Sequence, residues 1–175
     1  MSHWKLLNEF VRVESPWVSL IGEHWLCDKG NELEYWRVEK TDSVIVLPIQ
    51  AGQIFCIRPT FRVGLGRATL DFPGGRLPPG KSPQEVVPLI LERELSVPLA
   101  AIRSTIELNQ TKWPINSSFS NQGLWGFVAE IDEDFNIPKS CIGANVKAND
   151  EGISELLLQL DCLQCRTVLL EWQRQ

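Results

Sequence analysis

The run Gly74-Gly75-Arg76-Leu77-Pro78-Pro79-Gly80-Lys81-Ser82-Pro83-Gln84-Glu85, continued by Val86 to Leu95, constrains this chain more than any other stretch. It reads as strand end, glycine-rich loop and helix. Thr69-Leu70-Asp71-Phe72 alternates as a strand does, and Pro73 with two glycines stops it. Ser82 with Glu85 three residues later forms a capping-box signature, and Pro83 takes the favoured first helical position. A loop that feeds a helix N-terminus presents backbone N–H groups, where a phosphate is well received.

The 175 residues suffice for one domain with a sizeable core, and 43% hydrophobic residues without a low-complexity tract is ordinary globular composition. A formal net charge of −5 with no Lys/Arg cluster argues against a nucleic-acid partner. No apolar run is long enough for a bilayer, so no membrane partner is expected. Met1-Ser2-His3-Trp4-Lys5 lacks the apolar core of a signal peptide. Five cysteines without framework spacing fit reduced thiols, and a cytoplasmic location is expected.

In chain order, Lys5 to Glu14 and Trp17 to Cys27 predict strands broken at Ser15-Pro16, and the turn Asp28 to Asn31 predicts a hairpin into Glu32 to Lys40. Ser43 to Leu47 suits a central strand, with Pro48 near its end and Gln53 to Arg58 following a turn. The tryptophans of this β-rich third (Trp4, Trp17, Trp25, Trp36) read as sheet-face packing, with a dimer interface or base stacking as alternatives. Beyond the helix, Ile102 to Asn109 and Leu124 to Ile131 predict strands around a polar loop, Thr111 to Gln122. Ile153 to Leu160 is strand or helix, and Asp161 is expected to cap a final helix over Cys162 to Trp172. The pair Cys162-Leu163-Gln164-Cys165 lacks the four ligands of a structural zinc site and reads as thiols packing a helix; a redox role wants the pair at a helix N-terminus in a βαβ setting, and only the first of these is expected here.

The Gly74–Leu95 stretch resembles the Nudix box, G-x5-E-x7-R-E-U-x-E-E-x-G-U, a loop–helix–loop whose glutamates hold divalent metal against a pyrophosphate. With Gly75 as the first glycine, Lys81 stands at the first glutamate, Leu89 at the arginine and Ile90 at the next glutamate. Arg93 replaces the third glutamate, Glu94 keeps the fourth, and Ser96 takes the final glycine. Glu85, Glu92 and Glu94 do not substitute for the set: at about 100° per residue, Glu94 lies roughly opposite Glu85 on a straight helix.

Further landmarks are similar to the ADP-ribose pyrophosphatase branch of that family. Phe61-Arg62 precedes Leu70-Asp71-Phe72-Pro73-Gly74-Gly75, and Phe119-Ser120-Asn121-Gln122 resembles a substrate loop, with Gln122 where that branch has glutamate. The resemblance implies an α/β fold: a Nudix-type α/β/α sandwich with a mixed β-sheet and an N-terminal antiparallel β portion. It implies one domain over residues 1–175, with 1–42 forming a β portion that builds a homodimer and 43–175 the core. It also implies a nucleotide-diphosphate-type ligand, with Mg or Mn as cofactor if the chain is active. Carried onto this sequence, the substrate-binding residues are Arg62, Gly74, Gly75, Arg76, Arg93 and Phe119, and the catalytic residues Glu94 and Glu151, with Glu94 also the metal ligand. Asp150 and Glu151 stand where relatives often carry acidic groups, although a solvated turn is the plainer reading. Two functions stay open. One is binding of such a ligand with weak or no hydrolysis. The other is a metal-dependent pyrophosphatase using carboxylates outside the box helix, such as Glu130, Asp150 and Glu151.

Overall fold

A computed structural model describes residues 3–175. In chain order the elements are β1 (Lys5–Glu14), β2 (Ser19–Leu26), β3 (Glu32–Glu39), β4 (Ser43–Gln50), β5 (Gln53–Arg62), β6 (Arg67–Asp71), β7 (Gly74–Arg76), α1 (Pro83–Leu95), β8 (Ile102–Glu107), β9 (Trp113–Pro114), β10 (Gly123–Ile131), β11 (Ile142–Lys147), α2 (Asp150–Gln159) and α3 (Leu163–Gln173). They fall into two compact units. One takes the chain up to Asp42 together with Pro114–Gly123; the other takes Ser43–Trp113 and Leu124–Gln175.

The first unit is an antiparallel sheet in the order β1-β2-β3. Its register sets Ile21 opposite Arg37, Gly22 opposite Trp36 and Glu23 opposite Tyr35, so alternate residues share a face. On one face the Phe10 ring lies over Gly22, where an added Cβ would meet it at 2.7 Å. That ring also meets His24 at 4.7 Å and Trp36 edge-on at 5.4 Å. On the other face Glu23 is buried, with 1% of its surface exposed. Arg37 grips it with two bonds of 2.8 and 2.9 Å, and the Trp25 indole N–H adds a third at 2.9 Å. Trp25 and Arg37, with Trp4 and Tyr35, line a groove of about 300 Å³ on this unit. The segment Pro114–Gly123 is strapped along β3: Val38 N–H donates to the Phe119 carbonyl at 2.7 Å and Tyr35 O–H to the Ser118 carbonyl at 2.8 Å.

The mixed sheet of the second unit follows the order β11-β5-β4-β10-β8, with β6 on β5 and β7 on β4. Only β4 and β10 are parallel in that order, and β4 is buried along most of its length. Val44, Val46, Phe127 and Ala129 form one core with Val86, Val87, Ile90 and Leu91 of α1. Gly126, one residue before Phe127, faces Val168 of α3, where an added Cβ would come within 3.1 Å. Successive strand residues point to opposite faces, so α1 and α3 cover opposite sides of the sheet. This is the α/β/α arrangement with a mixed sheet and an antiparallel N-terminal portion expected above. Pro48 is tolerated inside β4 because β7 pairs only with Ser43–Ile45 and β5 only with Ile49 and Gln50, leaving it between partners on that side. Ala51 (φ 48°) and Gly52 (φ 71°) then make a two-residue hairpin turn into β5.

Three local expectations change. Ile142–Lys147 is a strand that the sequence did not announce; its second residue, Gly143, lies so close to the Ile57 carbonyl that a Cβ would stand 2.3 Å away. Ile153 to Leu160 resolves as helix, because Asn149 caps it by accepting from Gly152 N–H at 2.9 Å, and the solvent-exposed Asp150-Glu151 is its first turn. Asp161 does not cap α3. It is turned to Arg67 at 2.7 Å, and Cys162 holds the N-cap position. Among the described residues no helix is long and apolar enough to cross a membrane.

The Glu23–Arg37 pair sets a stability expectation. The Arg37 guanidinium, aided by the Trp25 indole, holds the Glu23 carboxyl below its ordinary range despite burial. Such a depressed group stabilises the fold above the unfolded carboxyl's pKa, near ~4.3, and that contribution is lost as pH falls. Arg37→Met should cost about 3 kcal/mol at pH 7, because it leaves a buried carboxylate, held by the Trp25 indole N–H, without its cation. The loss should shrink as the pH is lowered towards ~3, where the wild-type pair is itself being broken by protonation. Urea unfolding of both proteins, followed by tryptophan fluorescence across that range, checks the sign and the trend.

Candidate functional site

The loop–helix pair is seated by two glycines. In β7, Gly75 pairs with Val44 and Gly74 with Ile45. A Cβ on Gly74 would stand 2.5 Å from the Ile45 side chain, and one on Gly75 would stand 3.2 Å from Ile90 and 3.3 Å from the Arg93 guanidinium. A larger residue at Gly74 would force the Ile45 side chain to shift, and one at Gly75 would be tight against Ile90 and Arg93. Ser82 then starts α1 with a full capping box. Its N–H and hydroxyl donate to the Glu85 carboxylate at 2.7 and 2.9 Å. The Ser82 amide, followed by its hydroxyl, pulls the Glu85 carboxyl below its usual range. Glu85 is therefore occupied at the helix start.

Along α1, Ile90 is wholly buried under Gly75. Arg93 folds back over the loop, donating Nη2 to the Gly74 carbonyl at 2.7 Å while Nε and Nη2 reach Glu94 Oε1 at 2.9 and 2.8 Å. More than half of the Arg93 side chain, 57%, remains exposed, so the guanidinium can still meet a ligand. Ser96 ends the helix in the left-handed region, at φ 56°, and its N–H donates to Glu92 O at 3.0 Å. This is the conformation a box glycine would serve; serine adopts it here at a steric cost.

The other sequence-predicted residues lie in several places. Arg76 is exposed at the end of β7. Arg62 is bound to buried Asp71 by bonds of 2.6 and 3.0 Å, and this ion pair raises the guanidinium's pKa. Phe119 is half exposed on the Pro114–Gly123 segment of the first unit. Glu151, in the first turn of α2, lines a groove of about 350 Å³ with Gln53, Asn145, Asn149 and Glu155. Gln53 pairs with Gln50 of β4, whereas Gly75 pairs with Val44, six residues away or about 20 Å along the strand. Glu94 and Glu151 therefore belong to different ends of the sheet. Glu130 also lies towards the Gln50 end, opposite Ile49, and burial raises its carboxyl pKa; Asp150 accepts from the Gln173 amide at 3.1 Å.

A magnesium or manganese ion requires several oxygen ligands around one point. Ile90, Arg93 and Glu94 supply a buried isoleucine, a guanidinium and a carboxylate already paired with it, so this donor set does not fit the ion. Among the described residues, the one group of three or more His, Cys, Asp or Glu side chains whose donor atoms converge is Asp71, Cys162 and Cys165, within 4.8 Å of one another. Sequence reasoning missed that group. Its signal was the spacing of the cysteines, but the carboxylate that joins them comes from about ninety residues earlier in the chain.

No family profile and no curated protein matches this sequence. Among solved structures, the fold is similar to one described as the crystal structure of an ADP compounds hydrolase. The TM-score is 0.77 at 17% identity, over 98% of this chain and 92% of that one. At that identity the likeness speaks for the fold.

Ser96 gives the site a stability test. A left-handed L-residue costs about 1–2 kcal/mol, part of which glycine gives back through its freer unfolded chain. Ser96→Gly should stabilise the protein by roughly 0.5–1 kcal/mol, or about 1–4 °C in a thermal melt.

Proposed function

We infer that this chain binds a nucleotide-diphosphate-type ligand at the β7–α1 loop and hydrolyses it weakly or not at all. One observation carries the reading: Arg93 lies across the Gly74 carbonyl and Glu94, so a fixed positive charge stands where the related box would assemble a cation from carboxylates. Diphosphate oxygens accept paired bonds from a guanidinium, and Arg93, with Arg76 at the end of β7, offers them beside a glycine loop. The likeness to the fold of an ADP compounds hydrolase supports the ligand class. No step runs through a metal ion, because the box donors do not suit one. The resemblance of the sequence to the pyrophosphatase branch supports a homodimer through the N-terminal sheet, where Phe10, Trp17 and Trp36 leave apolar surface exposed.

Calorimetric titration with ADP-ribose, in EDTA and again in magnesium or manganese, with product analysis by chromatography, tests this. Binding should be saturable and change by less than about twofold between conditions, and Arg93→Glu should weaken it by at least about tenfold. Metal-dependent turnover at about 1–10³ s⁻¹, abolished by Glu151→Gln, would make the chain a hydrolase with its carboxylates elsewhere. Absence of binding to any nucleoside diphosphate compound would remove the ligand assignment altogether. Sedimentation of the wild type at micromolar concentration should show a dimer that Trp36→Glu dissociates; a monomeric wild type removes that part.

A further inference from the structure

The cysteine pair at the start of α3 is arranged for chemistry that packing alone does not need. Cys162 holds the N-cap position and is half-buried, while Cys165, in the first turn, is fully buried. Both sulfurs and a carboxylate oxygen of Asp71 lie within 4.8 Å of one another. Asp71 is 4% exposed. Its Oδ2 accepts from Arg62 and from the Thr69 hydroxyl at 2.8 Å, whereas its Oδ1 accepts from the Cys165 thiol at 3.8 Å. The Phe72 amide completes the setting by donating to Cys165 Sγ at 3.4 Å.

From this geometry we propose that Cys162 and Cys165 form a thiol–disulfide exchange couple, with Cys162 the attacking sulfur, Cys165 the resolving one and Asp71 the proton acceptor for Cys165. The roles follow from position. Of the two, only Cys162 has exposed surface for an incoming disulfide, and the N-terminus of a helix favours its thiolate. When Cys162 is ionised the Cys165 S–H turns from Asp71 to it, and that bond, then those from the first-turn amides, holds the Cys162 thiol below its ordinary range against the cost of burial and the nearby Asp71 charge; Cys165 is pushed the other way by its partner and by burial.

The steps balance with a small disulfide, RSSR, as oxidant. Cys162 thiolate attacks one sulfur, the S–S bond breaks, and one RS⁻ leaves and takes a proton from solvent. Cys165 gives its proton to Asp71 and attacks Cys162 Sγ, the Cys162–SR bond breaks, and the second RS⁻ leaves and takes up a proton from solvent while Asp71 releases the one it accepted, returning to the carboxylate paired with Arg62. Two thiols of the chain have become one disulfide and RSSR two thiols. A closed structural zinc site needs four ligands, and among the described residues three donors converge here, with the neighbouring Arg62 guanidinium 2.6 Å from the other Asp71 oxygen disfavouring a cation. The couple does not depend on the ligand proposed above.

The test equilibrates the full-length protein in oxidised and reduced glutathione, quenches it with iodoacetamide in denaturant, so that buried thiols are also reached, and maps the peptides by mass spectrometry. Under oxidised glutathione the wild type should lose two alkylation sites and two hydrogens in mass, with a linked peptide containing Cys162 and Cys165. Excess reduced glutathione should restore both sites. Cys165→Ser should instead accumulate one glutathione on Cys162, and Cys162→Ser none on Cys165. Should a variant fail to fold, the wild-type peptide map is sufficient to decide. The proposal falls if both sulfurs stay alkylatable under oxidised glutathione, if Cys162 pairs with another thiol instead, or if the purified chain carries stoichiometric zinc that Cys162→Ser removes.

Discussion

Gly74 and Gly75 sit where the β7 backbone approaches a strand on one side and a helix on the other, and that close approach seats the loop of the second unit. On one side the β4 side chain of Ile45 would stand 2.5 Å from a Cβ; on the other, Ile90 and Arg93 of α1 close to 3.2 and 3.3 Å. Loop, sheet and helix therefore touch through the bare glycine backbone, and α1 has little room to shift relative to β4. That contact helps the helix to tolerate Pro88 in its middle: Val86, Val87, Ile90, Leu91 and Leu95 are buried and the capping box closes its start. It also explains how Arg93, from the last turn, reaches a carbonyl nineteen residues earlier.

The parts of this fold written in local chemistry were legible. Ser82, Pro83 and Glu85 announce a helix start in any context, and the alternation of β2 and β3 about the turn at Asp28 to Asn31 announces a hairpin. The parts that depended on partners distant in sequence were not. Ile142–Lys147 is short and half exposed, and becomes a strand because β5 offers it an edge. Ile153 to Leu160 poses the same problem in reverse: the run is apolar enough for either state, and the Asn149 side chain on Gly152 N–H decides for helix. Glycine at position 152 is itself a tertiary requirement, since a Cβ there would stand 2.1 Å from the Lys147 carbonyl.

The site shows the same division. The box spacing placed Ile90, Arg93 and Glu94 together, and on a helix that spacing guarantees that they stay near one another. It could not place Glu151, whose distance from Glu94 is set by the register of β4, β5 and β11. Nor could it tell that Arg62 would turn inward. Asp71 is buried, and an ionised carboxylate in that position needs a cation or several donors to offset its lost hydration. Arg62 meets that need, which removes part of its guanidinium from use by a ligand.

The two oxygens of Asp71 are served unequally. One takes two N–H bonds and a hydroxyl; the other takes a thiol at 3.8 Å, a weak donor among the common side chains. If the site existed only to satisfy a buried carboxylate, a serine at position 165 would donate more strongly from the same turn of helix. A thiol serves that oxygen less well and gains something a hydroxyl lacks, which is the capacity to bond covalently to a second sulfur nearby. Burial of Cys165 in the core and the Phe72 amide on its sulfur account for a small apolar side chain at that position; the proposed couple accounts in addition for the second sulfur within 4.8 Å.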